Sequence, residues 1–124
     1  MGRGREIAAG AELVGRSRRH LTLTITRPYF DLIASGEKTT EYRRDCAYYA
    51  RLFDGPAPRY LVLHYRRGRY LVCELAGIRR IRRPRALRRS VFIDTTSCYA
   101  LDIARAIGPV SREAVDHFFA RGRN

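Results

Sequence analysis

The sequence predicts an α+β fold: a small mixed, mostly antiparallel sheet curled into a barrel, with helices at the barrel ends. Three observations lead there. Strand and helix signals follow one another in the order β-α-β-α-β-β-β-α. The central strands are apolar on both faces, as the walls of a small closed barrel are. The length, 124 residues, buries one modest core and leaves little room for a second.

The elements follow in chain order. Residues 1–19 are rich in Gly, Ala and Arg and read as a mobile basic arm. They lack the apolar core of a signal peptide. The folded domain is read as residues 20–121. Leu21, Leu23 and Ile25 alternate with Thr22, Thr24 and Thr26, a period-2 strand pattern. Thr26 is placed to cap a helix that tolerates Pro28 in its first turn and carries Tyr29, Leu32 and Ile33 as an apolar stripe. Gly36 ends that helix. Lys38 to Arg44 reads as extended, and Tyr48, Tyr49, Leu52 and Phe53 as a short second helix.

After a loop at Asp54 to Pro58, two strands, Tyr60 to Tyr65 and Tyr70 to Ile81, are joined at Arg66-Arg67-Gly68-Arg69. Residues 82–97 read as irregular. Cys98 to Ile107 is the last strand, stopped by Gly108-Pro109, and Ser111 caps a final helix with Val115, Phe118 and Phe119.

Composition narrows the partners. The net charge is +13, from 25 basic and 12 acidic residues, so a polyanion is expected, nucleic acid first. Apolar runs of a few residues exclude a membrane span. Cys46, Cys73 and Cys98 are odd in number and lack C-x-x-C spacing. They read as reduced thiols of a cytoplasmic protein, with neither a disulfide framework nor a zinc site. The scattered His20, His64 and His117 add no metal pattern, so no metal and no cofactor are expected.

The charge is uneven in two ways. From Arg66 to Arg89 there are ten arginines and one acid, Glu74. Arg66, Arg67, Arg69, Arg79, Arg80, Arg82 and Arg83 are the candidate phosphate contacts, interleaved with Tyr60, Tyr65 and Tyr70. Glu74 sits in an apolar strand, and Arg43 is its expected ion-pair partner. Moreover, 24 of the 25 basic residues are arginine. The one lysine, Lys38, lies in Gly36-Glu37-Lys38-Thr39-Thr40-Glu41-Tyr42-Arg43, the stretch that most resembles a site. A lysine, an acid, an arginine and hydroxyls together can hold a ligand or use the lysine chemically. Strict alternation puts Glu41 and Arg43 on one face and Lys38 on the other. Convergence requires Lys38 to sit in the loop after Gly36.

A strand, a helix carrying Phe-Asp-Leu-Ile-x-Ser-Gly, and then G-x-K-x-x-E-x-R resembles the ASCH domain, a branch of the PUA-like fold, with Gly36, Lys38, Glu41 and Arg43 at the motif positions. The resemblance extends more loosely over residues 20–107. It implies a small PUA-like barrel with a cleft at this motif and an association with RNA. In it Lys38 meets a phosphate or reacting group, Glu41 holds Arg43 or a base edge, and Arg43 faces an anionic or carbonyl oxygen.

The first functional expectation is therefore an RNA-binding module using Lys38, Thr40, Glu41, Arg43 and Ser97, with the arginine block along the backbone. The second is a ribonuclease on the same cleft. There Lys38 and Glu41 are catalytic, Thr95, Thr96 or Ser97 supplies a hydroxyl, and a divalent metal enters only under this reading. An N4-acetylcytidine amidohydrolase is less favoured, because that branch has a threonine three residues after its lysine and here Glu41 stands there. A protein-partner adaptor is the remaining reading. Oligomeric state is open.

Overall fold

A computed structural model describes residues 20–66, 68–87 and 96–121. The proposed arm, Arg67, Arg88, Arg89 and Thr95 lie outside the described residues. The elements are β1 (His20–Thr24), α1 (Arg27–Ser35), β2 (Thr40–Arg44), α2 (Ala47–Phe53), β3 (Tyr60–Arg66), β4 (Arg69–Arg82), a 3-10 turn (Arg85–Leu87), β5 (Ser97–Val110) and α3 (Arg112–Arg121). The α+β class and the element order match the expectation from the sequence.

The five strands form one sheet in the order β1-β3-β4-β5-β2. Only β1 and β3 run parallel; the other pairs are antiparallel. The two 14-residue strands β4 and β5 shift register at Tyr70/Val72, Glu74/Leu75 and Leu75/Gly77. Bulges bend and twist a strand pair, and here the sheet curls into a half-barrel. Among the described residues, its free edges are β1 and β2.

Both faces are covered, which explains the unbroken apolar runs of β3 and β4. The inner face sets Leu61, Leu63, Leu71, Tyr99 and Leu101 against Phe30 and Ile33 of α1 and Phe53 of α2. The outer face packs Tyr60, Val62, Tyr70 and Val72 under Val115 and Phe119 of α3. Each fully buried leucine contributes about 1.5–3 kcal/mol.

The buried face of α1 and the end of β5 differ from the sequence reading. In α1 the buried residues are Phe30 and Ile33, each 1% exposed, while Tyr29 is 49% and Leu32 36% exposed. Of the expected stripe only Ile33 is in the core, because Phe30 takes the inward position beside Tyr65, 4.8 Å between ring centres. And β5 runs on through Gly108-Pro109, whose peptide bond is cis, to Val110. Gly108 has φ +136, and a Cβ there would stand 2.6 Å from the Tyr70 carbonyl oxygen, so the close approach of β4 demands glycine. Pro109 is tolerated because β2 ends its pairing at Asp102, leaving this part of β5 with β4 alone. Ser111 does cap α3: its Oγ accepts the Ala114 N–H at 3.1 Å. Thr26 stands at the N-cap of α1 without a side-chain cap bond.

Candidate functional site

The turn after α1 places Lys38. Gly36 takes the left-handed conformation, φ 87, and donates its N–H to the Ile33 carbonyl. The Lys38 N–H then bonds the Leu32 carbonyl at 3.0 Å, and the Thr39 carbonyl accepts the Ile103 N–H at 2.8 Å. Lys38 thus precedes β2 and escapes its alternation. Its Nζ lies 3.5 Å from Glu41 Oε1 and donates to the Thr40 carbonyl. The ammonium also lies 5.5 Å from the ring centre of Tyr29 and 5.2 Å from that of Tyr42, within cation–π reach of both.

Glu41, 6% exposed, is the buried charged residue of the described part of the chain. Its second oxygen, Oε2, accepts Arg43 Nε at 3.1 Å. Arg43 further donates Nη1 to the Tyr49 hydroxyl at 2.9 Å and Nη2 to the Thr24 carbonyl at 2.7 Å. Thr24 ends β1 and Arg43 belongs to β2, so this side chain bridges the two free edges of the sheet. Lys38, Glu41 and Arg43 therefore do converge. The carbonyl that Arg43 faces, however, is the protein's own. A burial of this kind is tolerated because every charge meets an opposite charge or a hydrogen-bond partner.

Glu41 also acts on the core behind it. The Cys73 thiol is pushed up to about 12, first by burial and then by the Glu41 charge. Thr40 turns its hydroxyl the other way, donating to Asp102 Oδ1 at 3.2 Å. Asp102 is gripped by Arg79, Nε to Oδ2 at 2.6 Å and Nη2 to Oδ1 at 2.9 Å. That hydrogen bond is the leading cause of the raised Arg79 pKa.

The remaining candidates lie elsewhere. Arg80 reaches Asp45 and Asp54, each at 3.3 Å, and the Tyr99 hydroxyl at 2.5 Å. Ser97 donates to Asp45 at the Arg44 end of β2, opposite Lys38. Thr96 is exposed and its carbonyl accepts the Arg83 N–H at 2.7 Å. Arg66 and Arg69 sit at the β3–β4 hairpin, whereas Arg79, Arg80 and Arg82 occupy the far end of β4. Arg69 and Arg79 are on the order of 30 Å apart along extended chain. The block that is continuous in sequence is thus two surfaces in space. Its apparent lack of acids is also local: Asp45, Asp54 and Asp102 come to it from other elements. Among the described residues Arg66, Arg69 and Arg82 are exposed and make no ion pair.

Glu74 does not meet Arg43. It lies 3.6 Å from Arg59 and 3.4 Å from Arg105, with its side chain 28% exposed. The register explains the correction: Glu74 pairs with Tyr60 and Arg105 on the face toward α3, and Arg43 points to the other face. The histidines belong to the α3 side as well. His20 stacks on Phe119 at 3.8 Å, His64 on Tyr70 at 5.2 Å, and His117 lies on α3 itself. Among the described residues no group of three His, Cys, Asp or Glu side chains is arranged to hold a metal ion.

Sequence reasoning missed Tyr29, Tyr49 and Asp102. The first reads as core by helical spacing; the other two become neighbours of the motif only through the fold. Compared with models of protein families, with curated proteins and with solved structures, the chain gives no match.

Proposed function

We propose that the protein binds RNA, as an ASCH-like module of the PUA-like type, at the surface around Lys38. The observation that carries this reading is the placement of the chain's only lysine. It stands just before the edge strand β2, paired with Glu41 and bracketed by two tyrosine rings. A cation among aromatic faces is the combination nucleotides require, one for phosphate and the other for bases. The net charge of +13 and the exposed Arg66, Arg69 and Arg82 add attraction along the backbone.

Binding is favoured over ribonuclease action because the two Glu41 oxygens each face a cation, Lys38 or Arg43. With both oxygens engaged, neither is free to approach a substrate hydroxyl. The Ser97 hydroxyl, the other expected contributor, lies at the opposite end of β2. The amidohydrolase reading is disfavoured too, since the Thr40 hydroxyl is turned to Asp102.

The test is fluorescence anisotropy with labelled RNA at low salt and again at about 200 mM, a range over which phosphate contacts lose much of their strength. Tight binding at low salt that weakens steeply is expected, with Lys38→Ala reducing affinity about tenfold while circular dichroism stays unchanged. RNA affinity too weak to measure at low salt would overturn the proposal in favour of a protein-partner adaptor. RNA cut in the presence of magnesium, with cutting lost in Lys38→Ala, would restore the ribonuclease.

A further inference from the structure

The chain has eight tyrosines, and six of them pack against another aromatic ring: Tyr48, Tyr49, Tyr60, Tyr65, Tyr70 and Tyr99. Tyr29 and Tyr42 do not, among the described residues. Both instead face the Lys38 ammonium, one from α1 and one from β2. Tyr29 is half in water, and Leu32, one helical turn on, is exposed beside it. Among the described residues, the tyrosines without an aromatic neighbour are thus the two that flank the site lysine.

From this juxtaposition we infer that Tyr29 and Tyr42 form a platform for one unpaired nucleobase, with the Lys38 ammonium on an adjoining phosphate, so that the ligand is a single strand and not a duplex. The inference rests on the RNA-binding reading and adds to it the form of RNA that is bound. The chemistry is as follows. A ring already held against a cation has lost rotamer freedom before the ligand arrives, so stacking on it costs less ordering. Glu41 is buried and shared with Arg43, so Lys38 still presents positive charge to a phosphate. A base paired within a duplex is stacked on both sides and cannot reach Tyr29 without being pulled out.

Three probes separate the outcomes: a short single-stranded RNA, the same strand annealed to its complement, and a strand of equal length with abasic sites. The single strand should bind at least about tenfold more tightly than the duplex. Tyr29→Ala should weaken single-strand binding about five- to one-hundred-fold, the usual range for losing one base–aromatic stack. Duplex and abasic binding should be unmoved, and Tyr29→Phe should bind as the parent does. Tyr29 lies on the helix surface, so its variants keep the fold, and circular dichroism checks that. Equal affinity for strand and duplex, or an equal Tyr29→Ala loss on the abasic strand, overturns the base platform while RNA binding stands. Failure of every probe to bind at low salt overturns the RNA-binding reading, and this inference with it.

Discussion

Arg43 and Arg80 stand in one cross-strand row, on either side of Tyr99. Each holds carboxylate and a tyrosine hydroxyl: Arg43 with Glu41 and Tyr49, Arg80 with Asp45, Asp54 and Tyr99. Their side chains are 13% and 49% exposed. The chemistry is the same and the surroundings differ. At the seam the Arg43–Glu41 pair is shielded from water, so neither partner is easily replaced, while the bond to the Thr24 carbonyl is exposed. At the rim, water competes with every contact and screens what remains. Arg43 is therefore the residue that holds the half-barrel closed, and Arg80 is a surface cation that the fold has partly neutralised.

The largest expected effect is at the seam. Arg43→Met leaves the buried Glu41 with Lys38 alone and cuts the link to the Thr24 carbonyl. Loss of one partner from a buried pair costs about 3–5 kcal/mol, which lowers the melting temperature by more than about 10 °C in a protein of this size. Adding Glu41→Gln should recover part of the loss, because the stranded charge is then gone. A double variant as unstable as Arg43→Met would assign the cost to lost packing and remove Arg43 from its role as an ionic clasp.

The inner face should also show itself in alkali. The Cys73 thiol has its pKa raised from 9.0 to about 12, by burial first and the Glu41 charge second. A raised folded value means that the stability is fully present below the unfolded pKa and lost as pH rises from about 9 toward 12. Urea unfolding at pH 8 and pH 10 should therefore show a decline, of about 1 kcal/mol for Cys73. Cys98, raised mainly by burial against the opposing charge of Arg83, contributes in the same direction. Cys73→Ala should flatten the decline more than Cys98→Ala does. An unchanged slope in Cys73→Ala would mean that the thiol ionises in the folded protein as it does in water.

Between the two arginines in effect lies Asp102. Asp102→Asn weakens the Arg79 fork and the Thr40 contact, whose residue offers its carbonyl to Lys38. Arg79 is half exposed, so the stability change is under about 1 kcal/mol. RNA affinity should fall a few-fold as the lysine loses its fixed position. If affinity is unchanged, Lys38 is positioned by Glu41 and the rings without help from Thr40.

The sequence made most of the fold legible because its local signals agree with the tertiary outcome. Period-2 threonines mark β1, Gly36 ends α1, and continuous apolar runs mark strands covered on both faces. It misled where spacing alone leaves a choice. Tyr29 and Phe30 are adjacent, and only packing against Tyr65 decides which one is buried. Gly108-Pro109 reads as a stop unless one knows that β2 no longer borders β5 there. In the motif, the loop position of Lys38 could be argued from Gly36 and alternation, but the partners could not. Thr24, Tyr49 and Asp102 come from three other elements, and so do the acids that quiet Arg79 and Arg80. A charge run shows what is adjacent in the chain, and says nothing of the carboxylates that fold against it.

The smallest effect should come from Arg80, and it is the sharpest test of the comparison. Arg80→Ala frees Asp45 and Asp54, but Asp54 is 49% exposed and Asp45 a quarter exposed, so both are hydrated at once. The Tyr99 hydroxyl keeps its bond to Asp54 at 2.9 Å. The melting temperature should stay near that of the parent. High salt should divide the two arginines further: at about 1 M the screening length is near 3 Å, which erases the remaining difference between Arg80→Ala and parent but leaves the Arg43→Met deficit. If Arg80→Ala were as damaging as Arg43→Met, the row Arg43–Tyr99–Arg80 would act as one cooperative network and exposure would not be what separates its ends.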